Sequence, residues 1–308
     1  MIEVVRAGLM DLVVDGVPRR ALRFGLSEAG PADAPSLWAA NRRVGNPSWA
    51  AGLEILAQGP VLATRAPLVA CVCGGALEPT VDGTPAPWGE AFEVPAGATL
   101  AFRRARPGLR AYLAVGGGID VPAAFGSRSA DLPSQLPGLA GRALRAGDVL
   151  PVGPVRGEAR ASGPPPPATP PVGEDGAALL RVLPGPQWHM APTAVRRHLL
   201  GARLRVTPQA SRVGLVLEGE GEAPRWAAAD MPSEGTLAGS VQWTPAGRPV
   251  LLLVDRGSLG GYPKPLQVIA ADAWRAAQLR PGEAVRFVPV TRAAARAALA
   301  EVCREAEA

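Results

Sequence analysis

A chain of 308 residues, 47% hydrophobic and 19% charged, has the composition of a globular protein and exceeds what one hydrophobic core usually supports, so two domains are expected. The formal charge of +5 is diluted along the chain, and its densest basic patch is Arg103-Arg104 with Arg106. With aromatic residues at 5% and not interleaved with basic ones, a nucleic-acid face is excluded.

No apolar run approaches the ~20 residues of a membrane span, and no basic-then-apolar leader opens the chain. No membrane partner is expected. Cys71, Cys73 and Cys303 lack the spacing of a zinc site, and Cys71 and Cys73 fall in a predicted buried strand, where cysteine acts as a small hydrophobe. A reduced, cytoplasmic protein without a metal is the expectation.

Residues 1–155 read as mostly strand. Apolar runs at Leu12–Val14, Leu53–Leu56, Leu68–Cys73, Ala91–Val94, Leu100–Phe102 and Ala111–Val115 are separated by turn signals such as Asp82-Gly83 and Gly147-Asp148. The spacing predicts one helix, Pro31–Val44, with Asp33 as cap and Pro35 in its first turn. Residues 156–178 are proline-rich and predict a linker. Residues 179–290 return to strand: Leu179–Val182, Leu204–Val206, Leu215–Leu217, Val250–Val254, Leu266–Ala270 and Val285–Val288, with a short helix at Pro192–Leu200. Residues 291–308 predict a C-terminal helix capped by Thr291. The whole is mainly β, in two β-rich domains.

Of the 32 basic residues, all but Lys264 are arginine. Coding pressure that exchanges lysine for arginine leaves lysine where a compact or deprotonatable charge is needed. Lys264 follows the turn Gly260-Gly261-Tyr262-Pro263, near Ser233, Glu234 and Gln242. Asp255 is expected at the exposed end of a buried strand. Such a loop suits a substrate carboxylate, a transferring carboxyl group or a phosphate; read structurally, it is a hairpin corner. A second polar loop, Gly126-Ser127-Arg128-Ser129 with Asp131, either holds an anion through backbone N–H groups and Arg128, or is held together by an Arg128–Asp131 pair. Gly116-Gly117-Gly118 lacks dinucleotide-loop spacing and reads as a tight turn. His189 and His198 share no helical face and no G-x-S-x-G motif occurs, so a triad hydrolase is poorly supported.

The order of several motifs resembles a known family. The tract Ser233-Glu234-Gly235, Gly239-Ser240-Val241-Gln242, Asp255 with Ser258, and Gly260-Gly261-Tyr262-Pro263-Lys264 is similar to the second-subunit family of allophanate-hydrolase-type and 5-oxoprolinase proteins. The same family is described as biotin-dependent carboxyltransferase and occurs as a domain of urea carboxylase. Ala40-Asn41, Leu53-Glu54, Gly126-Ser127-Arg128-Ser129 with Asp131, and Pro184-Gly185-Pro186-Gln187 extend the resemblance over nearly the whole chain. It implies two cyclophilin-like β-barrel domains. It also implies a place in an ATP-dependent 5-oxoprolinase complex with two partners, a first-subunit-family protein and a third protein. There, phosphorylation of the unreactive amide oxygen would create a leaving group for ring opening of 5-oxoproline to glutamate. On these grounds Lys264, Asp255 and Glu234 are expected to be catalytic, and Gly260, Gly261, Tyr262, Gln242, Ser233, Arg128 and Asn41 to bind substrate or phosphate. ATP would enter through the complex.

Two other readings stand beside this one: carboxyl transfer from carboxybiotin to urea or a similar amide, and a non-catalytic regulatory partner of the first-subunit family. Biotin is not expected on this chain, which has no Met-Lys-Met site. Departures from the family pattern (Val13-Val14-Asp15 without its glutamine, Pro18 where an arginine would fall, Ala29, Ala130 and Ser258) imply altered or lost activity if the first domain contributes to the site.

Overall fold

A computed structural model describes residues 1–75, 77–104, 106–159, 165, 169–227 and 231–307. The chain divides into two compact units, Met1–Ala21 with Glu28–Ala168 and Glu305–Ala308, and Leu22–Ser27 with Thr169–Arg304. Eight residues of the expected linker, 160–164 and 166–168, lie outside the described residues.

The first unit holds two antiparallel sheets. One runs in the order Val149–Leu150, Ile2–Arg6, Val61–Thr64, Thr99–Arg104, Leu77–Val81, Thr84–Pro85. The other runs Asp11–Val14, Gly52–Leu56, Arg110–Val115, Leu68–Gly74, Ala91–Val94. Ile2, Val4, Leu53, Ile55, Leu62, Val72, Leu100 and Leu113 form the shared core. Arg110–Val115 is buried along its whole length because helix α1, Ala34–Arg43, covers its outer face. This explains its unbroken apolar run. Ala39, Ala40 and Val44 pack on Cys71, Cys73 and Ala114, and Leu37 on Leu12, Val14 and Tyr112.

Local chemistry starts α1 where the sequence predicts. Asp33 accepts from Ser36 N at 3.2 Å, and proline occupies the first turn. A nonlocal chain of hydrogen bonds then fixes the helix. Asp33 N donates to Tyr112 Oη at 2.7 Å, and Tyr112 Oη donates to Glu54 Oε2 at 2.9 Å. Burial, with the Glu54 charge second, holds the phenol of Tyr112 well above its ordinary value.

In the second unit seven strands close into a barrel: Ala178–Pro184, Leu266–Val268, Ser240–Trp243, Pro249–Leu252, Gly214–Glu218, Leu204–Ala210 and Ala284–Pro289. The closing pair, Ala178–Pro184 with Ala284–Pro289, is parallel. Alternation carries the core: Leu180 and Val182, Val241 and Trp243, Val285 and Phe287 point inward. Helix α2, Thr193–Gly201, packs on Ala284–Pro289 through Val195 and Leu199. Helix α3, Ala270–Ala276, starts at the last residue of the expected strand Leu266–Ala270, and Arg181 clasps its Asp272 at 2.6 and 2.8 Å. Helix α4 is Arg292–Glu307, with Thr291 Oγ1 accepting from Ala294 N. A separate two-stranded ribbon pairs Glu234–Gly235 with Leu259–Gly260. Among the described residues no helix is long and apolar enough to cross a membrane.

Candidate functional site

In the second unit the chain gathers several of the expected residues at one corner. Gly185 N and Gln187 N both donate to the backbone around Lys264 and Pro265, docking the loop after Ala178–Pro184 onto the turn. Lys264 is 2% exposed, and its Nζ lies 2.6 Å from Glu234 Oε1. Gln187 braces both partners: its Nε2 donates to Glu234 Oε1 at 2.7 Å, and its Oε1 accepts from Lys264 N at 2.9 Å. The Lys264 ammonium, and then Gln187, hold the Glu234 carboxyl below its ordinary value. An ammonium has three donors, and among the described residues Glu234 is the one acceptor within reach of this one.

The ribbon supplies the rest. Glu234 pairs across it with Gly260, and a Cβ on Gly260 would lie 2.5 Å from Gln242 Nε2. Gly261 O accepts from Met231 N, while the N–H groups of Gly261 and Tyr262 have no acceptor among the described residues. Ser233 Oγ lies 3.5 Å from where a Cβ on Gly261 would sit. The structure thus brings together Lys264, Glu234, Gly260, Gly261, Gln242 and Ser233.

Asp255 is corrected. Instead of standing free at a strand end, it is buried and clamped by Arg212, Nε to Oδ2 at 2.7 Å and Nη2 to Oδ1 at 3.0 Å. The preceding strand ends at Leu252, and Asp255 N donates to Arg212 O, so the clamp fixes the entry to the Gly257–Ser258 turn. Gln187 falls in a tract of the family resemblance, but the local pattern gives neither its role nor that of Arg212; they lie 77 and 43 residues from their partners.

The two first-unit candidates behave differently. Asn41 is buried, with Nδ2 donating to Ser48 O and Ala50 O and Oδ1 accepting from Asn46. It therefore braces the 46–50 loop. Arg128 does not pair with Asp131; its guanidinium meets Asp120 at 3.0 Å, and Asp131 pairs with buried Arg19 at 2.8 Å. Thus Pro18 is followed by an arginine that fills a buried pair. The loop does hold a carboxylate through backbone and hydroxyl donors, but it belongs to Asp15. Ser127 Oγ and Ser129 Oγ donate to Oδ1, and Arg128 N to Oδ2. Arg128, Asp120, Asn46, Trp49, Gly117 and Arg156 are among the residues lining a cleft of about 250 Å³. Gly117 sits where a Cβ would lie 2.0 Å from Gly153 O, so the glycine run is a tight turn that lets the 153–156 segment pass.

His189 is exposed on a short 3-10 turn, and His198 packs edge-on against Trp243 at 5.7 Å between ring centroids. Among the described residues no group of three His, Cys, Asp or Glu side chains is arranged to hold a metal.

Residues 24–289 match the family model described as carboxyltransferase domain, subdomains A and B. The chain is 32% identical over 294 residues to a 5-oxoprolinase subunit of Escherichia coli, covering 94% of this chain and 91% of that protein. A solved protein designated TTHA0988 superposes with a TM-score of 0.82 at 42% identity, over 93% of this chain and 55% of that one. Kluyveromyces lactis urea carboxylase superposes with a TM-score of 0.90 at 28% identity, over 99% of this chain and 29% of that one. The chain therefore spans about half of the first solved protein and under a third of the second.

Proposed function

We take as premise that the chain belongs to the carboxyltransferase domain family, subdomains A and B, and propose that it is one component of a 5-oxoprolinase-type complex that opens the lactam of 5-oxoproline to glutamate. The observation that supports a reacting site is the Lys264–Glu234 pair, a buried ammonium with donors to spare, among the described residues, beside N–H groups that have no acceptor there. When water adds to an amide carbon, negative charge gathers on the oxygen, and fixed donors stabilise it more than they stabilise the ground state. Lys264 and the Gly261 and Tyr262 N–H groups are such donors. Glu234 keeps the ammonium aimed, and being half-exposed it is the acceptor an incoming oxygen would displace or share. Asp255, through Arg212, positions the turn.

ATP belongs with the partner proteins, a first-subunit-family protein and a third one. The N–H groups of Gly116, Gly117 and Gly118 already donate to Val69 O, Asn46 Oδ1 and Val115 O, so this glycine run does not fit a nucleotide phosphate. No step on this chain runs through the nucleotide.

Reconstitution with the natural partner pair tests the reading. ATP-dependent consumption of 5-oxoproline is expected, falling about 100- to 1000-fold in Lys264→Met; undiminished turnover removes Lys264 from the site. The match along 99% of the chain to urea carboxylase favours carboxyl transfer as the second reading. Carboxylation of urea by this chain with a biotin carboxylase, without 5-oxoproline turnover, would decide for it. Lys264 is buried and ion-paired, an unsuitable place to attach biotin.

A further inference from the structure

We infer that the carboxamide of Gln242 reads the cis-amide edge of the substrate, the adjacent N–H and C=O that a lactam and a urea have in common. The inference rests on the reading of this corner as the reacting site. Gln242 lies in Ser240–Trp243, and its neighbours Val241 and Trp243 fill the barrel interior. Alternation therefore turns Gln242 outward, under the Glu234–Gly235/Leu259–Gly260 ribbon. It is 7% exposed, yet its carboxamide makes no hydrogen bond to any described residue.

None of its amide atoms is among the fully buried ones that lack a partner, so the carboxamide meets solvent at this corner and is open to a ligand. The other buried carboxamides with a known setting are engaged: Asn41 and Asn46 brace the 46–50 loop, and Gln187 bridges Glu234 and Lys264. Gln242 is the exception, and the fold makes room for it. Its Nε2 would meet a Cβ on Gly260 at 2.5 Å, although Gly260 does not have the positive φ that demands glycine. Glycine there leaves the carboxamide its space. Gly260 is also the cross-ribbon partner of Glu234, which contacts the Lys264 ammonium.

A primary carboxamide presents a donor and an acceptor side by side. It is matched by a group offering an acceptor and a donor on one edge. Ring closure forces a lactam amide to be cis, with N–H and C=O on the same side. Urea presents the same edge through either nitrogen. A peptide bond is trans and points the two groups in opposite directions. Gln242 would therefore accept lactams and ureas and reject peptide amides. One side chain then accounts for a fold whose relatives bear the names of a urea carboxylase and a 5-oxoprolinase subunit.

Two measurements test this on the full chain. In the isolated protein, the Gln242 side-chain NH₂ resonances, assigned by their loss in Gln242→Met, are followed during titration with four probes. Pyrrolidinone and urea are expected to shift them, with N-methylpyrrolidinone and the trans amide N-methylacetamide at least about tenfold weaker. Equal response to all four, or no response, overturns the assignment. In the reconstituted complex, Gln242→Met and Gly260→Ala, whose new methyl displaces the carboxamide, should each lower kcat/KM for 5-oxoproline roughly 100-fold, the loss of two neutral hydrogen bonds. Circular dichroism melts identify a variant that merely unfolds, and the probe titration of the unsubstituted chain decides independently of any variant. If the wild-type complex leaves 5-oxoproline intact while cis selectivity persists, the 5-oxoprolinase reading falls and Gln242 stands. If the complex is active and both folded variants match it, Gln242 falls and the reading stands.

Discussion

The Asp15 cluster of the first unit and the Lys264 corner of the second use the same materials: a buried charge, hydroxyl and amide neighbours, and a loop rich in glycine and serine. They differ in saturation. Asp15 receives two serine hydroxyls and a backbone N–H on its carboxylate, and its own N–H bonds Ser129 Oγ. Arg19 and Asp131 complete the layer beside it. At the Lys264 corner the ammonium has one acceptor among the described residues, the Gln242 carboxamide has none, and two N–H groups point to no acceptor. A saturated polar cluster specifies one packing. An unsaturated one keeps capacity for a ligand.

Substitutions should sort the two accordingly. The largest effect is expected on turnover from Lys264→Met, about 100- to 1000-fold, with little change in melting because Glu234 remains half-exposed and can be solvated. Next comes Asp15→Ala. It leaves two buried serine hydroxyls and an N–H beside the cleft without their acceptor and should cost about 1–3 kcal/mol, read by urea denaturation, with accelerated hydrogen exchange confined to first-unit peptides. A small cost there, with lost activity, would make Asp15 part of a site and abolish the contrast.

Asp11 sharpens the same contrast by pH. It is buried, with Gly8 N donating to Oδ2 at 2.6 Å and Oδ1 without a partner among the described residues. Burial pushes its carboxyl up from 3.8 to about 6, against the Gly8 hydrogen bond. Because the folded value lies above the unfolded one, its contribution to stability is complete below pH 3.8 and is lost as pH rises through 6. Asp11→Asn should therefore gain about 3 kcal/mol at about pH 8 and nothing at about pH 3.5, measured by denaturant midpoints. An equal effect at both pH values would show that the charge is not the cause.

What the sequence makes legible is local. Asp33 caps a helix three residues on, and the strand Leu68–Gly74 carries its own apolar run. Ser240–Trp243 gives no strand signal of its own, because two apolar residues alternating with Ser and Gln are too short a pattern. The strand Leu266–Val268 is legible, but the helix Ala270–Ala276 that follows it is not, because its anchor is Arg181, 91 residues from Asp272. The corner follows the same rule. Lys264, Glu234, Gln242 and Gly260 fall within one stretch and can be named together, whereas Gln187 and Arg212 arrive from distant segments. Asp255 does lie near that stretch, but its clamp by Arg212 has no counterpart in the local pattern.

The smallest effect is expected from Arg128→Ala, and it probes the boundary between scaffold and site. The Arg128 side chain meets Asp120 at 3.0 Å with both partners exposed, 37% and 57%. Such pairs contribute less than about 1 kcal/mol, and salt screens them. The part of Arg128 that matters to the Asp15 cluster is its backbone N–H, which alanine retains. The variant should thus fold with a denaturation midpoint close to the parent, and any difference should fade in high salt. Kinetics of the reconstituted complex then carry the information. A raised KM with unchanged kcat would assign the guanidinium to uniform binding of an anionic substrate group. Unchanged kinetics would leave the first unit as support, with anion recognition at the Lys264 corner or on the partner proteins.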